Sequence, residues 1–514
     1  MRASEPRLWA VFHRIDITPS YPVSLLGYFN DRVSTGVADP LACRLAAFAA
    51  KPAIRGAKPA IRGAQAAIRG AARRSPLFAA RSPLSAARLL FVQIDTCLFD
   101  DAFSWTLRRA LRARANGAWS EVLVFASHTH TAPALARLYE TPRQDRYAAD
   151  LVTRIAAAAG EAARALAAGP PVTPLQGPDA RAGGLAHAAQ GLRAVPVILS
   201  VARGRAEGLS FNRRWLGRDG RTVTNPSRAL RAQLAGPEGS VDPEVVVLLL
   251  REEGGAPRAM FVSAVNHTDT VGGQQLSADW PGQLEREVIR GLGVEVPVFF
   301  LPGAQGNINH FDPAAEGEQT GFAEAQRLGK AYAQVVLDSL SAARPLALDS
   351  RLPPLASRLD HVRLPGRRIP AAELDAARRL LRASGGEGVA GDLTASELAA
   401  GSPAVERVLA RELLRQSPSR RRSYRVPLQA VRLGGVLLCG IPGEPFVELG
   451  LALKGAAGTS GSCLVLPLGL AGGYYGYILP GDRLASGGYE ALPMAGRLGG
   501  AAAAMIVEHF RRLV

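Results

Sequence analysis

The chain has 514 residues, 47% hydrophobic and 20% charged, which is enough to bury a large core and is the profile of a globular protein. No apolar run reaches the roughly eighteen residues that cross a bilayer, and residues 1–10 lack the apolar stretch of a secretory signal, so a cytoplasmic location is the expectation. The net charge of +17 would suit a polyanion, yet nine basic residues and no acidic one fall between Ala50 and Arg88, with no aromatic RNA-binding motif, zinc finger or helix-turn-helix beside them; this argues against specific nucleic-acid recognition.

In chain order, a strand-like run at 44–49 leads into a repeat: AKPAIRG at 50–56 and 57–63, then AQAAIRG at 64–70, followed by RSPL at 74–77 and 81–84. Stackable repeats need about 20 residues per unit, and seven residues carrying Pro and Gly cannot bury a face. Residues 50–86 therefore read as a disordered, dispensable basic insertion that expands a hairpin loop, the return strand being ARLLFVQID at 87–95. Helix patterns follow at 101–115, 145–168, 281–292 and 320–344, with strand patterns at 121–126, 244–250, 259–265 and 296–301. A polar, Arg-rich stretch at 365–420 reads as a helical insertion, with helices at 371–383 and 394–415 and capping-box spacing at Thr394 and Glu397. Strands at 426–440 and 462–468 and a helix at 490–513 complete the chain. Runs such as EVVVLLL and VPVFFL are apolar at every position, which demands cover on both faces. The expected fold is α/β: layered mixed β-sheets covered by helices, in a single large domain over 1–514. Cys43, Cys97, Cys439 and Cys463 are scattered, without a C-x-x-C pair, and read as reduced structural thiols.

Chemistry gathers where apolar strands end. His128 and His130 stand in SHTHTAP directly after EVLVFA, His267 in VNHTDT after MFVSAV, and Glu444 in CGIPGEPF after GGVLLCGI. Strand ends hold functional groups rigidly while loops leave access. Two or three histidines with a carboxylate are the donor set of a catalytic zinc site. An H-x-H pair on a strand would turn both rings to one face, so spacing alone does not choose the ligand between His128 and His130. Asp95 and Asp279 are either partners that orient a ligand histidine or ordinary hydrogen-bonding groups.

Taken together, the motifs resemble the neutral/alkaline (non-lysosomal) ceramidase family. The resemblance runs through RIDITPSYPVSLLGY at 14–28, STGVADPLACRL at 34–45, SHTHTAP at 127–133, FNRR at 211–214 and VDPEVVVL at 241–248. It continues through VNHTDT at 265–270, SADWPGQLERE at 277–287, PGAQGNINH at 302–310, IPGEPF at 441–446 and GGYYGYILP with GGYE at 472–490. It covers almost the whole chain apart from the repeat loop and the 365–420 stretch. The resemblance implies zinc held by His128, His267, Glu444 and Tyr477, the second tyrosine of Y-x-G-Y, with His130, Arg213 and Tyr489 lining the reacting centre. Arg214 follows Arg213 directly, so a one-residue shift in that match stays open.

The activity so implied is hydrolysis of the N-acyl amide of ceramide or a related N-acyl lipid by a zinc-activated water. That would place the chain in sphingolipid metabolism, with transient contact at a membrane surface. Some features depart from the family. Gly306-Asn307-Ile308-Asn309-His310 stands where many relatives read G-D-I-N-P, which leaves a second cation near Asn307 in doubt. Thr131-Ala132 replaces Ser-Gly after H-T-H, and the chain is expected to lack the leader and the C-terminal β-sandwich of secreted relatives. Two rival readings stand beside this one: a zinc hydrolase of the same fold acting on a small amide, peptide or lactone, and an inactive binding protein using its basic loop.

Overall fold

The computed structural model describes residues 8–50, 88–115, 117–168, 192–252, 255–346, 354–383, 393, 395–457 and 463–514. The repeat segment and Thr394 of the expected capping box lie outside the described residues.

Two sheets pack face to face, and helices cover both outer faces. The larger sheet contains β1 (Leu8–Asp16), β2 (Ala42–Ala50), β3 (Arg88–Ile94), β4 (Glu121–Ala126), β5 (Val195–Arg205), β6 (Glu244–Glu252), β7 (Pro257–Ala264) and β8 (Val298–Pro302), in spatial order β8-β7-β6-β5-β1-β2-β3-β4. The β2–β3 pair is the expected hairpin, antiparallel from Cys43↔Ile94 to Ala49↔Arg88. The pairs β3–β4 and β7–β8 are parallel, so those neighbours end on the same side. The smaller sheet contains β9 (Leu355–Pro365), β10 (Ser423–Leu433), β11 (Val436–Gly440) and β12 (Leu464–Leu468). The single strand read at 426–440 is thus two: Leu433 pairs with Val436 across a tight turn in which Gly434 takes a φ of 59°, a backbone that glycine adopts freely.

The alternation of side chains makes four layers. Phe48, Phe91, Leu123, Phe125, Leu248, Phe261 and Phe299 of the larger sheet meet Val431, Leu433, Leu438, Leu466 and Leu468 of the smaller one. The outer face of the larger sheet packs on α1 (Asp101–Arg114), α2 (Asp145–Ala168), α3 (Asp279–Leu292) and α4 (Phe322–Ser339). Burial on both faces is why its strands are apolar at every position.

Helices α5 (Ala371–Ala383), α6 (Ala395–Ala399) and α7 (Pro403–Gln416) lie between β9 and β10 in sequence; α8 (Val447–Ala457) and α9 (Ala502–Arg511) cover the outer face of the smaller sheet. The helix expected at 394–415 is broken at Gly401, whose φ is 73°, and restarts with Pro403 in the first turn. The helix expected at 490–513 shrinks to α9, because Pro493 and the Gly499-Gly500 pair keep the preceding chain extended or turning.

Candidate metal centre

The chain leaves β4 at Ala126 still bonded to the neighbouring strand: Ser127 N donates to Ile94 O (3.0 Å) and His128 N to Thr96 O (2.9 Å). His128 then takes a φ of 78°, rare for a residue with a Cβ and sustained only where the surroundings over-determine it. Both histidine rings do face one point, but the loop does this, not the period of a strand. The His128 and His130 Nε2 atoms are 3.4 Å apart.

Three buried donors converge from three strand ends. His128 Nε2 lies 3.0 Å from His267 Nε2 and 3.3 Å from Glu444 Oε2, and His267 Nε2 lies 3.5 Å from that oxygen. Metal–donor bonds of about 2.0–2.1 Å in tetrahedral geometry put neighbouring donors about 3.3–3.4 Å apart, so this triangle fits one face of a zinc site. The far side of each imidazole is anchored on backbone carbonyls. His128 Nδ1 bonds Cys97 O at 2.8 Å, and His267 Nδ1 bonds Ile308 O at 3.1 Å. That leaves Nε2 of both rings to face the shared point.

Electrostatics call for positive charge there. Burial alone would lower the His128 pKa, but the Glu444 carboxylate more than offsets it and holds it well above the usual value. Burial and the Arg213 guanidinium push His267 well below its usual value. Burial would raise Glu444, but His128 and Arg213 bring it below the ordinary carboxylate range. One neutral imidazole, one imidazole that draws a proton towards a carboxylate, and that carboxylate are donors which a dication satisfies in the proton's place.

The remaining expected residues surround this triangle. His130 Nδ1 pairs with Asp269 Oδ1 at 3.1 Å; burial would lower its pKa, but Asp269 lifts it to about 9. Gly27 makes room for that ring, since a Cβ there would meet His130 Cγ at 2.5 Å. Arg213 reaches the centre: its Nη1 is 3.4 Å from His267 Nε2, its Nη2 donates to Gly306 O (2.7 Å) and its Nε pairs with Glu490 Oε1 (2.8 Å). Arg214 points the other way, into a buried cage of Glu238 and Glu490. Tyr477 lies opposite Glu444 in a short parallel pairing, where Glu444 N donates to Gly476 O (3.1 Å) and Tyr477 N to Ala495 O (3.0 Å), and the Arg213 guanidinium is 5.2 Å from its ring. Tyr489 packs on the Tyr477 ring at 5.6 Å and shares a 2.6 Å hydroxyl bond with Tyr139.

Asp95 and Asp279 do not bond a ligand imidazole. Asp95 pairs with Arg44, and Asp279 accepts from Thr270 N and Val271 N, which fixes the loop after His267. Asn307 is committed as well: its Oδ1 accepts Val447 N (2.8 Å) at the start of α8 and its Nδ2 donates to Glu448 (3.1 Å).

Sequence reading missed four residues. Tyr474 donates to Glu444 Oε1 at 2.8 Å, so the tyrosine that touches this carboxylate is the first of Y-x-G-Y. Asp269 stood in VNHTDT, two residues past His267, and Glu490 stood beside Tyr489; both acidic groups were visible there as partners for the basic residues. Cys97, with its Sγ 3.7 Å from His128 Nδ1, forms a second potential donor group with His128 and His130. Burial would raise its pKa, but His130 and His128 draw it down to about 7. Only the fold brings it there.

The fold is an αββα sandwich whose strand ends gather a His/His/Glu group that could hold a metal ion. Among solved structures, the chain matches that of a neutral ceramidase from Pseudomonas aeruginosa with a TM-score of 0.65 and 17% identity, over 99% of this chain and 74% of that one. A ceramidase complexed with C2 matches with a TM-score of 0.66 and 16% identity, over 99% and 75%. No family model and no curated protein matches by sequence. The fold is that of the neutral ceramidases.

Proposed function

We propose that the chain is a zinc-dependent hydrolase of N-acyl amide bonds. The observation that carries this reading is the triangle of His128, His267 and Glu444, with a guanidinium and a carboxylate-held imidazole beside it. The ceramidase fold supports amide hydrolysis as the reaction.

When bound, zinc supplies a Lewis acid that lowers the pKa of water to roughly 7. Arg213, fixed on Gly306 O and Glu490, donates to the carbonyl oxygen as charge develops on it. His130, held by Asp269, carries a proton to the leaving amine. Tyr474 holds Glu444 by its second oxygen, and Tyr477 and Tyr489 wall the oxygen side. Ceramide and related N-acyl lipids are the substrates suggested by the names of the structural neighbours.

The division of labour is tested by metal content and turnover in two variants. His128→Ala should lose zinc and activity together. His130→Ala should keep near-stoichiometric zinc and slow turnover by about 10² to 10⁴. Zinc lost from His130→Ala and kept by His128→Ala would reverse the assignment.

A further inference from the structure

Two phenols meet beside the metal centre. The Tyr139 and Tyr489 hydroxyls are 2.6 Å apart, and neither has another hydrogen bond among the described residues. Tyr139 is buried and Tyr489 half-buried. Burial holds both phenols well above their usual pKa, so each keeps its proton at neutral pH. One hydrogen fills the bond between them, and the other is left over. An O–H out of water without an acceptor is costly, so that hydrogen needs a partner.

The surroundings decide which phenol carries it. The Tyr139 ring lies in an apolar cluster with Phe29, 4.9 Å away edge to face, and with Val405, Leu409 and Met494. Glu412, the carboxylate that acts on Tyr139, is already bonded to Arg415 (2.7 Å) and Gln416 (2.5 Å). Tyr489 stands on the side of the site: its ring packs on Tyr477, and the Glu444 and Arg213 charges both act on it. A spare hydrogen on Tyr139 would be stranded among hydrocarbon, whereas one on Tyr489 can meet an oxygen beside Arg213.

The backbone holds both residues in place. Tyr139 takes a φ of 51°, rare for a bulky side chain and kept only where its surroundings over-determine it. Its turn is closed by Leu138 N to Thr141 O (3.3 Å) and Thr141 N to Leu138 O (3.0 Å), and Glu140 in the turn pairs with Arg411 of α7 at 2.9 Å. On the other side, Tyr489 N donates to Thr224 Oγ1 at 3.0 Å. The two hydroxyls are thus aligned before any ligand arrives.

We propose that Tyr139 is a positioning residue: it donates its hydroxyl hydrogen to Tyr489 and so leaves the Tyr489 hydrogen for an oxygen ligand at the metal centre. Chained hydroxyls polarise one another, so the bond also makes Tyr489 the stronger donor. In the reaction that ligand is the carbonyl oxygen of the amide, a role that rests on the amide-hydrolase reading.

The test is a pair of double-mutant cycles on the full zinc-loaded chain with Tyr139→Phe and Tyr489→Phe, which keep both rings and remove one hydroxyl each. The first cycle reads the Kd of methylphosphonate, a tetrahedral oxyanion, by titration calorimetry and needs no turnover. Tyr489→Phe should weaken it by about 10- to 100-fold, the worth of a hydrogen bond to a charged group, and Tyr139→Phe by about 3- to 10-fold. Once the Tyr489 hydroxyl is gone, Tyr139→Phe should change nothing further. The second cycle reads kcat and KM on N-octanoylsphingosine and p-nitroacetanilide, where both losses should fall on kcat and show the same coupling. Losses that multiply, as independent packing effects do, would overturn the proposal. Val408→Ala loosens the same apolar cluster without removing a hydroxyl and should lower Tm with methylphosphonate affinity unchanged; affinity lost there too would make packing the cause and overturn it. Coupled losses of methylphosphonate with neither amide cleaved would sink the hydrolase reading and leave this one standing. Amide cleaved with uncoupled losses would do the reverse.

Discussion

Glu490 joins two buried guanidiniums, and its substitution tests whether the buried charge network aims Arg213. Its Oε1 takes Arg213 Nε at 2.8 Å, and its Oε2 takes both Arg214 Nη1 and Thr224 Oγ1 at 2.8 Å. Arg214 has a second carboxylate in Glu238, with bonds of 2.6 and 3.0 Å; Arg213 has no other ion pair among the described residues. Breaking a buried pair costs about 3–5 kcal/mol. Glu490→Gln keeps one acceptor and leaves Arg214 partnered, so the cost should fall near the low end, about 3 kcal/mol. Unfolding entropy near 2.1 cal/mol/K per residue makes that a loss of about 3 °C in Tm for a chain of this length. With Arg213 free to turn from His267, turnover should also fall by about 10² or more, the usual worth of a donor to a developing oxyanion. Calorimetric unfolding and turnover on one preparation give both numbers. Glu238→Gln is the control: it disturbs Arg214 and the Thr222 and Ser486 hydroxyls, none of which touches Arg213, and should lower Tm with turnover unchanged. A Glu490→Gln protein that melts early but turns over normally would refute the reasoning.

Arg44→Met should destabilise by about 3 kcal/mol in denaturant unfolding, because it leaves Asp95 without its ion pair (3.0 Å) and Glu285, bonded to Arg44 at 2.5 Å, with only Arg14 at 3.4 Å. Gly306→Ala should weaken zinc binding at least tenfold in a chelator competition: its Cβ would meet Glu444 O at 2.5 Å and Pro445 O at 3.0 Å, and backbone yields poorly. Burial raises the Asp39 pKa to about 6, above the ordinary 3.8, so the folded chain holds this proton more tightly than the unfolded one. Its contribution to stability is therefore present below about pH 4 and lost as pH rises through about 6. Asp39→Asn should remove that decline, seen as a wild-type-minus-variant Tm difference that becomes more negative from pH 4 to 6.

Elements that were legible are those whose residues report one environment. The 145–168 helix alternates small apolar and polar residues at helical spacing and is buried along one face, and the structure has it at those bounds. The 394–415 stretch has the same periodicity, but Gly401 and Pro403 act locally and override it. The 426–440 run failed for a related reason: two apolar strands joined by two glycines look like one until the φ of Gly434 turns the chain.

The site divides in the same way. Each candidate ligand sits at the end of an apolar strand, and that much is local. That the end of β4, the end of β7 and the end of β11 meet is not local, because β11 belongs to the other sheet. Glu444 reaches the histidines only because the Phe48, Phe91, Phe125 and Phe261 face of one sheet is covered by the Val431, Leu438 and Leu466 face of the other. A pattern of alternating burial says that such a face must be covered, not by what. The same limit explains Cys97, Tyr474 and Asp269. Cys97 and Tyr474 follow the strands that end at Ile94 and Leu468, yet nothing in their neighbours along the chain says that they face an imidazole or a carboxylate; Asp269 was visible as an acidic neighbour of His267, but not as the partner of His130. The backbone at His128 sharpens the point. A strand period would have brought two rings to one face, but a left-handed residue did so instead, held by the carbonyls of Thr96 and Cys97. The placement of the His128 and His130 rings is therefore set by the loop's hydrogen bonds, and changes to Thr96 or Cys97 should act on the candidate metal centre through the backbone they hold.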